Sequence, residues 1–189
     1  MILTDREIRI SIERGLIEVN PSPAPSAYSS TALDLTLDAP FRSYRAPSQS
    51  IGQYLDPFAD GFSISEAIDT LTTAETISLQ GYDLTPNHLI LAWTKERINL
   101  RTEARIAARV EGKSSLARLG LLVHLTAPTI HAGFARPIQL EIINMGKLPI
   151  RLRVGMPICQ LIFEQTVGVA EKGYSGRFAH QSAAGITQG

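Results

Sequence analysis

The sequence has a single cysteine, Cys159, among 189 residues. One thiol forms no internal disulfide, and it cannot supply a metal site that needs two cysteine ligands. Net charge is lacking too, since 18 Lys and Arg side chains offset 18 Asp and Glu. Taken whole, that balance argues against a general binder of nucleic acid or membrane surface, which would carry a basic excess. No stretch has the apolar length of a membrane span. The opening run Met1-Ile2-Leu3-Thr4-Asp5-Arg6-Glu7 carries charge where an export signal needs apolar residues. The expected location is the cytoplasm, with no nucleic acid and no membrane as partner. What is present is ordinary for a globular chain: 44% hydrophobic and 19% charged residues, enough for a packed core in one domain spanning 1–189.

The zero charge is a sum of unlike halves. Residues 1–94 hold five basic and twelve acidic side chains, and residues 95–189 hold thirteen and six. The halves therefore carry −7 and +7. Such asymmetry points to an anion met by the second half. The plainer reading is attraction between the halves, within the fold or between subunits, and composition alone favours it.

Thr4 followed by Glu7 fits a capping box, so a helix is expected with Ile8, Ile10, Ile12 and Leu16 as its apolar residues and Gly15 as its stop. Residues 1–20 form this helix and its connection. The prolines at 21, 23 and 25 forbid regular structure there. From residue 32 to 37 apolar and polar residues alternate, as in a half-buried strand. Residues 46–75 mix Pro, Gly, Ser and Asp and read as a long excursion. Strands are expected at 77–79, 89–94, 106–110, 121–125, 138–143, 150–154 and 158–163, with a turn at 85–88. Many short strands at even spacing predict a mainly β protein, a barrel or sandwich. From about residue 166 to 189 the pattern forms no core, and a mobile tail is expected.

The densest polar cluster is Lys113-Ser114-Ser115-Leu116-Ala117-Arg118, flanked by Gly112 and Gly120. A nucleotide-binding P-loop would need glycine five residues before Gly112, where Ala107 stands. A helical turn over residues 115–119 would still aim N–H groups and Arg118 at phosphate oxygens. An ordinary polar turn is the commoner case. In the strand 138–143, alternation puts Gln139, Glu141 and Ile143 on one face and Ile138, Leu140 and Ile142 on the other. A carboxylate in so apolar a strand is desolvated or paired. Desolvation would raise its pKa towards general acid/base use, whereas a solvated outward face would leave it inert. His124 and His131 lack further ligands at zinc spacing. His124 is read as a structural histidine and Cys159 as a small buried residue. No Gly-x-Ser-x-Gly and no GxGxxG occurs, which disfavours serine hydrolases and dinucleotide enzymes.

Three segments in order, residues 113–120, Leu140-Glu141-Ile142-Ile143-Asn144, and Gly155-Met156-Pro157-Ile158-Cys159-Gln160-Leu161, resemble the dCTP deaminases of the dUTPase-like superfamily. The resemblance implies a distorted β-barrel (β-clip) with a short N-terminal helix, a homotrimer, and active sites between subunits. It implies zinc-free conversion of dCTP to dUTP and ammonia, with Mg2+ brought by the substrate triphosphate. A zinc deaminase would need a His/Cys/Cys set with a PCxxC segment, which one cysteine cannot provide. By this resemblance Glu141 is the catalytic proton carrier, Ser114 positions the water, and Ser115 and Arg118 bind the triphosphate. Tyr174, Arg177 and Gln181 resemble the tail segment that closes over it.

Three positions depart from the pattern. Lys113 stands where many members have arginine and loses a two-pronged contact. Thr129 stands where many have another arginine that contacts substrate. His131 stands where dUTPases have the aspartate that activates water, which disfavours dUTP hydrolysis. Two competing readings follow: a phosphohydrolase of the same fold acting on dUTP or dCTP, alone or with deamination, and a nucleotide-binding regulator without catalysis. Retention of Ser114 and Glu141 counts against the last.

Overall fold

The computed structural model describes residues 1–46 and 54–171, with the backbone of 181–182 and 185–186. Helix α1 (Asp5–Glu13) starts where the capping pair predicts, with the Thr4 hydroxyl accepting the Glu7 N–H at 3.5 Å. Ile8 is its buried anchor, and Gly15 turns the chain at φ +67°, a conformation without steric cost for glycine. Strand β1 (Ile17–Asn20) follows. The proline stretch is not wholly irregular. A one-turn 3-10 helix runs Pro25–Ala27, since a proline at a first helical position loses no hydrogen bond.

Strands β2 (Tyr28–Ser29) and β3 (Ala32–Tyr44) come next. Only the first half of β3 shows the alternation read from the sequence. The strand continues past Pro40, which lies where pairing to its neighbour is interrupted between Leu37 and Phe41, a place that tolerates a missing N–H. The excursion at 46–75 needs correction, although residues 47–53 lie outside the described residues. It contains helix α2 (Ile64–Leu71), capped by Ser63, and strand β4 (Thr72–Thr76). Residues 77–79 are not a strand. Ser78 only bridges Gly81, and Leu79 is 97% exposed in the turn. The strand lies beyond it, as β5 (Tyr82–Leu84).

The remaining elements largely match expectation but differ in length. They are β6 (Leu89–Leu100), β7 (Ile106–Gly112), helix α3 (Ser114–Ala117), β8 (Leu121–Val123), β9 (Thr129–Ile130), β10 (Ala135–Asn144), β11 (Ile150–Leu152) and β12 (Pro157–Gln165). Within the segment read as a tail, β13 (Gln181–Ser182) pairs with β14 (Gly185–Ile186). Among the described residues no helix is long and apolar enough to cross a membrane.

The main sheet runs in the order β8-β10-β6-β3-β12-β7-β9, with each of these neighbouring pairs antiparallel. The long strands β3 and β6 change partners along their length, β3 pairing also with β2 and β4, and β6 with β1. Strands that switch partners through irregular register bend the sheet, and here it curls into a distorted barrel. Leu33, Leu35, Leu37, Leu140, Ile142, Leu161 and Phe163 fill it, each within 2% of complete burial. Burial of each such side chain stabilises by about 1.5–3 kcal/mol. Attraction between the unlike halves is realised in part, by Lys113 on Asp34 and Arg151 on Asp83.

Candidate active site

The pairing of β8 with β10 sets the site. Val123 faces Ile142 across the ladder, so the next residues along, His124 and Glu141, meet. The His124 N–H donates to the Glu141 carbonyl at 2.8 Å. His124 takes φ +63°, a left-handed conformation uncommon outside glycine, and β8 ends there. Such strain persists where the surroundings over-determine it, often at functional positions.

The imidazole is held at both nitrogens. Nε2 lies 2.7 Å from the Ala127 carbonyl oxygen. A carbonyl only accepts, so Nε2 carries hydrogen. Nδ1 lies 3.1 Å from Glu141 Oε2, a contact of ion-pair distance whose angle falls short of hydrogen-bond geometry. Two bare acceptors at that distance would repel. A proton therefore sits on Nδ1 or on the carboxyl. The histidine side chain is 6% exposed and the carboxylate 34%.

Burial opposes charge on both partners, and each overcomes it through the other. Burial pulls His124 down, but Glu141 and the Ala127 carbonyl outweigh it and hold the imidazole above its ordinary pKa. Burial pushes Glu141 up, but His124 and backbone N–H groups, that of Leu125 among them, hold the carboxyl below its ordinary pKa. This corrects the expectation of a raised glutamate: the pairing with His124 outweighs burial and favours the carboxylate. His124 is buried with a neighbour at each nitrogen, as its structural reading expects, and one of those neighbours is Glu141. The signal available in the sequence was the place of His124 at the end of a strand that pairs beside Glu141. Tyr44, raised by burial and by the Glu141 charge, is another titratable neighbour.

Glu141 and His124 open onto a cavity of about 420 Å³, with Tyr44, Trp93 and Gln139 also on its wall. That volume suits a small-molecule site. The expected strand alternation holds, with Ile138, Leu140 and Ile142 buried, Ile138 reaching the cavity wall from that row. Thr129 and His131 line the same cavity. Lys113, Ser114, Ser115 and Arg118 do not. The expected turn at 115–119 begins one residue earlier, as α3, and leaves Ser114, Ser115 and Arg118 exposed. Lys113 Nζ instead contacts Asp34 Oδ2 at 2.6 Å, with both side chains about one-fifth exposed at 23% and 21%. Asp34 went unread in the sequence. It lines a second cavity of about 370 Å³ beside Glu96, whose buried carboxylate accepts the Thr36 N–H at 2.8 Å and hydroxyl at 2.7 Å.

Backbone contact fixes the exit of α3. Gly120 sits at φ +94°, and a Cβ there would lie 2.4 Å from the Gly146 nitrogen. Beside it, buried Asn144 donates to the Leu84 and Leu148 carbonyls and accepts the Gly146 N–H. Tyr174 and Arg177 lie outside the described residues, and Gln181 is described only as backbone of β13. Cys159 is fully buried, as expected, and burial pushes its thiol far above the usual range. Among the described residues, no three or more His, Cys, Asp or Glu side chains are grouped to hold a metal.

The family model for dCTP deaminase-like proteins matches residues 2–166, a span that contains both the Glu141–His124 pair and α3. The chain belongs to the dCTP deaminase-like family. A relative from Methanosphaera stadtmanae, named dCTP deaminase, dUMP-forming, is 34% identical over 173 residues, covering 92% of this chain and 83% of the relative. Among solved structures, the 2'-deoxycytidine 5'-triphosphate deaminase of Agrobacterium tumefaciens superposes with a TM-score of 0.64 at 22% identity. It covers 86% of this chain and 47% of its own, so this chain spans about half of that one. That likeness supports the barrel fold of this dCTP deaminase-like chain.

Proposed function

We propose that this chain deaminates dCTP hydrolytically, with Glu141 as the proton carrier. The observation that carries the reading is the Glu141 carboxylate, held ionised by His124 at the wall of a ligand-sized cavity. An ionised carboxylate is ready to take the proton of a water molecule attacking C4 of cytosine. The C4–O bond forms, N3 takes a proton, the C4–N4 bond breaks, and ammonia leaves with a second proton. The balance is dCTP plus water to dUTP plus ammonia. Water activation is assigned to protein groups rather than zinc, consistent with one cysteine, buried in the barrel. Mg2+ arrives with the triphosphate as part of the substrate.

The α3 turn supplies the other half of the proposal. Ser114 positions the water, and Lys113, Ser115 and Arg118 hold phosphate oxygens. They do not line the Glu141 cavity of their own chain, which supports assembly as a homotrimer with the turn of one copy facing the cavity of another. Tyr174, Arg177 and Gln181 would close over the triphosphate.

A second reading has one specific observation behind it, because the Methanosphaera relative is named dUMP-forming. In it the same protein also cleaves the triphosphate, with His131 rather than aspartate facing the cavity. Product identification after incubation with dCTP, dCMP and dUTP separates the two. Ammonia with dUTP supports deamination alone. Ammonia with dUMP and pyrophosphate supports the coupled reaction. Tight dCTP binding with no turnover across magnesium and pH overturns both in favour of a regulator.

A further inference from the structure

The wall of the Glu141 cavity contains one basic side chain other than histidine among the described residues, Arg136. Phe134, just before β10, and positions 138, 140 and 142 within it form the buried row, each within 6% of complete burial. Simple counting puts position 136 in that row. The wall takes in this row as well, since Phe134 and Ile138 line the cavity on either side of position 136. Pro137 faces Arg97, but Gln139 faces Trp93, so two residues of β10 span four of β6. The buried Thr94 hydroxyl repairs the interruption, donating to the Glu96 carbonyl at 2.8 Å and accepting the Ile138 N–H at 2.9 Å. Bulges of this kind re-aim side chains beside active sites. This one lies opposite the stretch of β10 just beyond Arg136, which lines the cavity with Gln139 and Glu141. Its guanidinium lies over the Phe134 ring at 5.0 Å.

A guanidinium offers five donors and no acceptor. Its complement in a pyrimidine ring is the C2 carbonyl oxygen, on the other side of N3 from the C4 carbon where water adds. A triphosphate is a poorer match for this wall, since a polyanion calls for several cations and Leu91, Trp93, Ile130 and Ile138 surround this one. Resting on the deamination reading above, we propose that Arg136 donates to the C2 carbonyl oxygen of the pyrimidine and stabilises the negative charge that gathers on O2 and N3 as water adds at C4. Glu141 then serves the C4 side of the ring and Arg136 the C2 side.

The test compares dCTP with 2-thio-dCTP, whose sulfur accepts hydrogen bonds weakly, in the wild type, Arg136→Gln and Arg136→Lys. Removal of one such donor is expected to lower kcat/KM for dCTP by about 10²-fold. The wild type should lose most of its advantage on the thio substrate, while Arg136→Gln discriminates little between the two. Arg136→Lys should keep the charge and recover only part of the rate. It also carries the comparison alone should the glutamine variant fail to fold. Wild-type kcat/KM in Arg136→Gln, or an equal loss on both substrates, overturns the assignment. Wild-type protein that releases no ammonia from dCTP overturns the deamination reading itself. Arg136 is then judged by binding: weaker wild-type affinity for the thio analogue, absent in Arg136→Gln, retains the carbonyl contact, and equal affinities remove it.

Discussion

Two acid–base pairs in this protein look alike on paper. Glu141 meets His124 at 3.1 Å, and Asp34 meets Lys113 at 2.6 Å. Each joins a carboxylate to a cation across a wide gap in sequence or between strands. Their settings differ. The first pair sits on a strained strand end and opens into a cavity with aromatic walls. The second joins the acidic half of the chain to the basic half beside an exposed helical turn. Imidazole is the side chain that ordinarily titrates between pH 5 and 8, so only the first pair can trade a proton in the physiological range. Close contact between opposite charges is therefore no guide to chemistry. A titratable partner and an adjoining space for a reactant are.

The comparison breaks most sharply at Glu141. Glu141→Gln should lower ammonia release from dCTP by about 10³-fold or more, the upper range for one acid–base group, with the assembly unchanged by gel filtration. Turnover near wild type would place the chemistry elsewhere.

His124→Asn comes next. Asparagine tolerates the left-handed backbone but cannot hold a proton for Glu141. A loss of about 10²-fold in kcat is expected, the low end of acid–base effects. The pH profile separates this role from simple misfolding. His124 is raised, so its contribution to the pair is complete below the ordinary histidine value and fades as pH climbs through the raised one. Glu141 is lowered, so its contribution fades only as pH falls through the lowered value. The pair is thus intact in the window between them. An alkaline limb in wild-type activity, arising above the ordinary histidine range and absent in His124→Asn, confirms it. An unchanged limb in the variant assigns it to another group, Tyr44 being the nearest candidate.

The second pair should behave differently. Lys113→Ala is expected to raise KM for dCTP by about tenfold, the scale of one charge-assisted contact, and to leave kcat within a few-fold. A double-mutant cycle with Asp34→Asn should return a coupling of about 1 kcal/mol or less in stability, as for partly exposed ion pairs. Loss concentrated in kcat would make the two pairs alike after all.

The smallest effect is expected at Thr94→Val, which removes the hydroxyl that bridges the β6 irregularity. About 1–2 kcal/mol of stability should be lost in chemical denaturation, with a modest fall in kcat/KM. Unaltered values would show that the backbone holds the bulge without it.

These contrasts mark what the sequence could reveal. Alternation at 32–37 and 138–143 is a local property of one strand, and it correctly placed Leu33, Leu35, Leu140 and Ile142 in the core. The α1 cap was legible because Thr4 and Glu7 lie three residues apart. What stayed hidden depends on pairing between distant segments. His124 has no local sign of function and gains one only when β8 docks beside Glu141. Asp34 gains a partner 79 residues away. Arg136 went unread, and only the folded sheet places it on the wall of the Glu141 cavity. The sign of the Glu141 pKa shift was misread for the same reason: burial can be inferred from a strand pattern, but the neighbour that reverses its effect cannot.

The meeting of Gly120 and Gly146 bears on how such a protein can be re-engineered or diversified. Two loops touch there backbone to backbone, with no side chain between them to shrink or swell as their sequences drift. The segment that leaves α3 and the turn after β10 therefore form one mechanical joint. A graft that moves the Lys113–Gly120 segment into another scaffold must carry the Asn144–Gly146 turn with it. Transferred alone, the segment would lose the surface that sets its angle.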